Sequence, residues 1–260
     1  MHWHLEHGPT FATVRFTLDD TEHVRAQPNA MLSMTTGVGI TIEAGGLSGK
    51  RGVLAGFKSM LSGEKFFTNL YTADRDGQTL ILAPEDLGDV IELTLGHGEP
   101  NAGPPAAHGD GAAEPVPDFD SDPGPGPGPG YYLTRGAYLA STPGAKVRVS
   151  YGGLKGVMAQ KGLFLMRATG DGTVFCGTRG AVVQRTLADG ERIVIDNRYV
   201  VAFEDTIQFE LVKATKGLKD AYFSGEGLVN RYTGPGTLYF QTRGKQGGTG
   251  FFSRLIDVAL

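Results

Sequence analysis

The chain holds a single cysteine, Cys176, so no disulfide can close within it. That fits a reducing compartment. Long apolar runs are also missing. Stretches such as Val200 to Phe203 fall far short of the ~18 residues a membrane span needs. No N-terminal stretch couples a basic region to an apolar one, so no signal peptide is read. Net charge is −4, and clusters such as Lys50-Arg51 and Lys213 to Lys219 are interrupted by neutral residues. Proteins that neutralise phosphates carry a basic stripe, so this balance argues against a nucleic-acid partner. These absences predict a soluble cytoplasmic protein.

Catalytic signatures are absent as well. There is no Gly-x-Ser-x-Gly elbow and no His-Glu-x-x-His pair. The stretch Ala44 to Arg51, AGGLSGKR, approaches a phosphate loop but has Ala44 for the first glycine. It ends in Arg51, which has no hydroxyl for magnesium. His2, His4 and His7 cluster near the start, and on a strand His2 and His4 share a face. No second cluster completes a metal site of known spacing, and exposed imidazoles on an edge strand are expected. Cys176 lies in the middle of VFCGT, the place of a small core residue and not of a reactive thiolate. The expectation is a protein that is not an enzyme, with no catalytic, cofactor or metal residues.

What is plentiful is glycine. Forty glycines in 260 residues is about twice the usual share. They fall at turn-like positions, the pattern of many short strands. They also reveal internal similarity. GDGTVFCGTRG (Gly170 to Gly180) and GPGTLYFQTRG (Gly234 to Gly244) agree at Gly170/Gly234, Gly172/Gly236, Thr173/Thr237, Thr178/Thr242, Arg179/Arg243 and Gly180/Gly244. Ala30 to Met34, Gly37 and Gly45-Gly46-Leu47 match Ala137 to Ser141, Gly144 and Gly152-Gly153-Leu154 at one constant offset. Tyr199 to Phe203 stands where the other copies carry these apolar runs. Glu64 after Gly63 recurs as Glu226 between Gly225 and Gly227. Two carboxylates could do acid/base work, but their place in separate copies favours a shared structural role.

Period-two alternation in Lys146 to Ser150 and Thr206 to Leu211 marks half-buried strands. Further strands are expected at Val90 to Leu95 and Tyr131 to Ser141. Each copy is read as strands leading to a hairpin with a Gly-x-Gly or Asp-Gly turn. Gly45, Gly46, Glu64, Gly170, Gly172, Gly225, Glu226, Gly227, Gly234 and Gly236 are therefore structural turn and loop residues. One helix is predicted near 53–62, where Val53, Leu54, Phe57, Met60 and Leu61 fall at helical spacing before Gly63. Residues 99–130, rich in proline, glycine and acid, read as a disordered insertion. The fold class is mainly β, with about three repeated β-sandwich-like units. Their expected bounds are 1–86, 87–188 with the insertion, and 189–260 with the C-terminal tail.

Gly45 to Ala73, Arg135 to Ser141, Asp196 to Ile207 and Ser224 to Arg243 together resemble the altered inheritance of mitochondria protein 24 family. The resemblance covers essentially the whole chain outside 99–130. It implies a fold related to the tryptophan RNA-binding attenuation protein, assembled as a trimeric ring, with no catalytic residues to carry over. Fungal relatives are associated with organising the inner mitochondrial membrane. The first functional reading is a homo-oligomeric scaffold or interaction protein, stress- or membrane-organisation-related, whose assembly covers exposed strand edges. The alternative is a module binding a small ligand or nucleic acid in clefts between the β-units.

Overall fold

The computed structural model describes residues 1–44, 67–96, 130–134, 136–150, 165–213 and 228–244. The segment predicted as a helix and nearly all of the proline-rich insertion lie outside the described residues. So do Gly45, Gly46, Glu64, Gly225, Glu226 and Gly227. Among the described residues there are only strands and turns.

An opening strand, β1 (His2–Glu6), precedes three sets of six. The first set is β2 (Thr13–Leu18), β3 (His23–Ala26), β4 (Met31–Met34), β5 (Val38–Ala44), β6 (Phe67–Ala73) and β7 (Gln78–Leu82). The second is β8 (Val90–Leu95), β9 (Tyr131–Thr134), β10 (Tyr138–Ser141), β11 (Ala145–Ser150), β12 (Leu165–Gly170) and β13 (Gly172–Gly177). The third is β14 (Val182–Leu187), β15 (Arg192–Ile195), β16 (Val200–Glu204), β17 (Gln208–Lys213), β18 (Leu228–Thr233) and β19 (Gly236–Gln241).

Within every set the hydrogen bonding is the same. The last strand is flanked by the first and third, and the fifth by the second and fourth. Each set thus contributes to two antiparallel sheets. The sets are then stitched together, because β3 pairs with β10 and β9 pairs with β16. The result is a chain of sheets: β1-β2-β7-β4, β5-β6-β3-β10-β13-β8, β11-β12-β9-β16-β19-β14 and β15-β18-β17. By this pairing β14, which falls before the expected boundary at 188/189, belongs with β19 in the third set.

Two expectations are corrected. The Gly-x-Gly segments are not hairpin turns. Gly170 ends β12 and Gly172 opens β13, yet these strands belong to different sheets. Gly234, between β18 and Gly236 at the start of β19, occupies the same kind of corner. A glycine corner lets the chain leave one sheet and enter the next, and the approach there is tight. The Asp171 backbone N–H donates to the Gly144 carbonyl at 3.1 Å, and a Cβ on Gly144 would land on the Asp171 carbonyl oxygen. Likewise Tyr131 to Ser141 is not one strand. Gly136 has φ of +83°, a conformation that L side chains resist, and the chain turns there from β9 into β10 of another sheet.

The apolar residues condense into three clusters. Each cluster mixes neighbouring sets. Leu139, Ala140 and Phe175 of the second set pack into the first cluster with Phe16 and Tyr71. Val201 and Ala202 of the third set pack into the second cluster with Leu133. The third cluster centres on Phe203, whose ring lies 5.2 Å from Tyr232 and 5.3 Å from Phe209. Aromatic pairs at such distances add to the area they bury.

Candidate interaction edges

Among the described residues, stitching leaves one strand at each end of the series paired on one side only. In the first set the third strand, β4, is a sheet edge; in the other two sets its counterparts β10 and β16 are paired on both sides. In the third set the second strand, β15, is an edge; its counterparts β3 and β9 are paired on both sides.

Burial shows what this does to the side chains. β4, β10 and β16 share an irregularity. Each steps over one residue in its register with the neighbouring strand, at Met31/Ser33, Tyr138/Ala140 and Val200/Ala202. The skipped residues are Leu32, Leu139 and Val201. Leu139 and Val201 are 0% and 1% exposed, whereas Leu32 is 61% exposed. All four residues of β4 are exposed, and all four of β10 are buried. On the other edge, Val194 of β15 is 54% exposed.

Beside β4 lies an open groove of about 290 Å³ lined by Arg15, Ser33, Met34, Thr35, Thr79 and Ile81. The shared strand pairing places Ala140, Ser141, Thr142, Thr173 and Phe175 at the corresponding points of the second set as the last five of these. All five are buried there, and Ala140 and Phe175 pack into the first cluster. The groove is thus a surface that the second set covers with its neighbour and the first set leaves open.

The covered joints are tied by polar contacts between the sets. At β3–β10 the Tyr138 hydroxyl donates to the Arg25 carbonyl and the Arg25 guanidinium donates to the Pro143 carbonyl, both at 3.3 Å. At β9–β16 the Thr134 hydroxyl donates to the Val200 carbonyl at 2.8 Å, and Arg167 meets Asp205 at 3.1 Å. Burial pushes the ionisation of the Tyr131 and Tyr138 hydroxyls upward, so both remain neutral.

The other residues singled out in the sequence do not converge. β1 exposes both His2 and His4, and no group of three metal-capable side chains occurs among the described residues. Cys176 is fully buried, and burial pushes its thiol well above the usual range. No helix among the described residues is long and apolar enough to cross a membrane. The exposed apolar residues of these two edges, Leu32, Met34 and Val194, carry no motif. For Leu32 and Met34 the signal was the alignment of Ala30 to Met34 with the apolar runs of the other copies; Val194 had none.

Known proteins agree with this architecture. Over its full length the chain is 26% identical to an uncharacterised protein of Streptococcus pyogenes serotype M6, covering 92% of it. It is also similar to the crystal structure of a Streptococcus pyogenes protein, with TM-score 0.65, 26% identity and 94% of each chain covered. The profile of one family matches residues 3–102 and 124–243. By that match and the strand pattern beneath it, the chain belongs to the mitochondrial biogenesis AIM24 family.

Proposed function

We propose that this protein is a non-catalytic, homo-oligomeric scaffold or interaction protein, a trimer in the cytoplasm, whose copies join through open sheet edges. The observation that supports it is the contrast at one strand position. Leu139 and Val201 are buried by a neighbouring set of strands, and Leu32 at the same position stands 61% exposed. An exposed, uncharged edge is a ready template for another strand. The groove beside β4 fits this reading better than a small-ligand site. It is open, and in the second set protein fills its counterpart.

The test is the mass of the purified full-length chain by light scattering across a range of concentrations. A mass near three chains, held on dilution, supports the reading. A monomer at all concentrations sinks it and moves attention to clefts within one chain.

A further inference from the structure

The two joints inside the chain define how a third would be made. β4, β10 and β16 can be aligned residue by residue, because Met31, Tyr138 and Val200 each precede the shared irregularity and oppose Leu82, Cys176 and Phe240. β3, β9 and β15 align through their fifth-strand partners, where Ala26 opposes Asn69, Leu133 opposes Met166 and Ile195 opposes Asn230. In the first joint Ala140 opposes Ala26 and Ser141 opposes Arg25. In the second, Ala202 opposes Leu133, Phe203 opposes Tyr132 and Glu204 opposes Tyr131. Under the alignment these are the same pairings, so one register serves both joints.

We infer that β4 of one copy pairs antiparallel with β15 of a second copy, with Ser33 opposite Ile195, Met34 opposite Val194 and Thr35 opposite Ile193. This rests on the homo-oligomer reading and gives it a geometry. The contact is head-to-tail, since the two edges are different surfaces of the chain. Such contacts close into rings or continue as filaments, unlike a two-fold pair in which one patch meets itself. Leu32 and Ile81 take the places of Leu139 and Phe175, and cover the exposed end of the third cluster beside Ile193 and Ile195. Both edges are uncharged at the contact: none of Ser33, Met34, Thr35, Ile193, Val194 and Ile195 brings a charge to be buried.

The hydrogen-bond phase also transfers. The Gln27 N–H donates to the Leu139 carbonyl at 2.9 Å, so the next pair along, Ala26 and Ala140, is a non-hydrogen-bonded pair. Ser33 and Ile195 inherit that phase. Cα atoms in such pairs are ~4.5 Å apart, within the span a disulfide bridges. Thr35 and Ile193 have the same phase two residues on. Native Cys176 does not compete, because it is fully buried.

The experiment uses the full chain as Ser33→Cys, Ile195→Cys and the double variant, treated with oxidised glutathione and run without reductant. Light scattering of each preparation goes alongside. The double variant is expected to cross-link between chains and the single variants not. An equal mixture of the two single variants is expected to give a cross-linked pair. Cross-linking of Ser33→Cys alone would mean that β4 meets β4 and would overturn the inference. So would a bridge formed only within one chain, or no bridge in a preparation that still has oligomeric mass. In each of those cases the homo-oligomer reading survives. Monomeric mass for the unmodified chain defeats both. If Ile195→Cys impairs folding, the pair Thr35→Cys and Ile193→Cys tests the same register.

Discussion

Replacing Leu32 by aspartate separates assembly from folding. In a single chain Leu32 is 61% exposed and touches little. Substitutions at such sites usually change stability by within about 0.5 kcal/mol. At the proposed joint the same residue is to be covered as Leu139 is. Fully burying a leucine is worth about 1.5–3 kcal/mol, so covering the remaining part stabilises each joint by about 1–2 kcal/mol. An aspartate there must also shed water without a partner, which adds at least about 2 kcal/mol. The sum, about 4 kcal/mol, weakens each joint roughly a thousandfold. Leu32→Asp should therefore lower the oligomer mass at micromolar concentration while far-ultraviolet circular dichroism keeps its β signature. Leu139→Asp is the control. It puts the same charge at the corresponding position with 0% exposure, and should unfold the chain outright. A Leu32→Asp chain that keeps its oligomeric mass, or one that fails to fold as Leu139→Asp does, would refute the reasoning.

Gly236→Val should cost about 2–3 kcal/mol of stability, measured by urea unfolding. Gly236 has φ of +141°, and an added Cβ would lie 2.5 Å from Thr206 Oγ1 and 2.8 Å from Ile207 Cγ1. Gly39→Ala, whose Cβ meets only the Thr72 carbonyl at 3.8 Å, should be far milder. Glu22 supplies a pH prediction. Its carboxylate accepts the Asp19 backbone N–H at 2.9 Å and pairs with the Met1 ammonium, which together hold its pKa below the ordinary 4.5. A lowered carboxylate pKa stabilises the fold above the ordinary value, and that contribution is lost as pH falls through the lowered one. Wild type should thus melt above Glu22→Gln at pH 7, and the gap should close below pH 4.5. A constant gap across that range would rule out the titration.

The repeated pattern was legible because turns and core positions constrain residue type locally. The offset linking Ala30 to Met34 with Ala137 to Ser141 is the one by which β4 and β10 correspond in space. Cys176 and Phe240, matched in sequence, oppose Tyr138 and Val200 at corresponding points of their joints. The strand Val90–Leu95 has the bounds expected from the sequence. What was misread depends on partners distant in the chain. A glycine pair between two apolar runs makes a hairpin or a corner according to where the flanking strands find hydrogen bonds. For β12 and β13 those bonds go to β9 and β11 on one side and to β8 and β10 on the other. The joint residues were harder still. Leu32 and Leu139 are the same amino acid in matching contexts, and only the neighbour that one has and the other lacks tells them apart.

The way the edges are built bears on whether they are meant to be covered. Sheet edges in monomers are commonly blunted by charge, proline or a capping strand. Several edges of this chain follow that rule. β1 lies over the outer side of β2, and the edges β8 and β14 carry the exposed charges Glu92 and Arg185. Among the described residues β4 has none of these devices. Its four residues, Met31, Leu32, Ser33 and Met34, are uncharged and exposed, and no proline interrupts them. β15 carries one charge, on Arg192 at its start, followed by Ile193, Val194 and Ile195. Charge is thus sparse at the two edges whose counterparts are paired twice over within the chain, as it is on β5, where Ile40 and Ile42 are exposed. On β4 and β15 every position of the proposed pairing is uncharged. A joint that must bury both edges in one register requires it, and a single charge placed on β4 should undo the assembly without touching the fold.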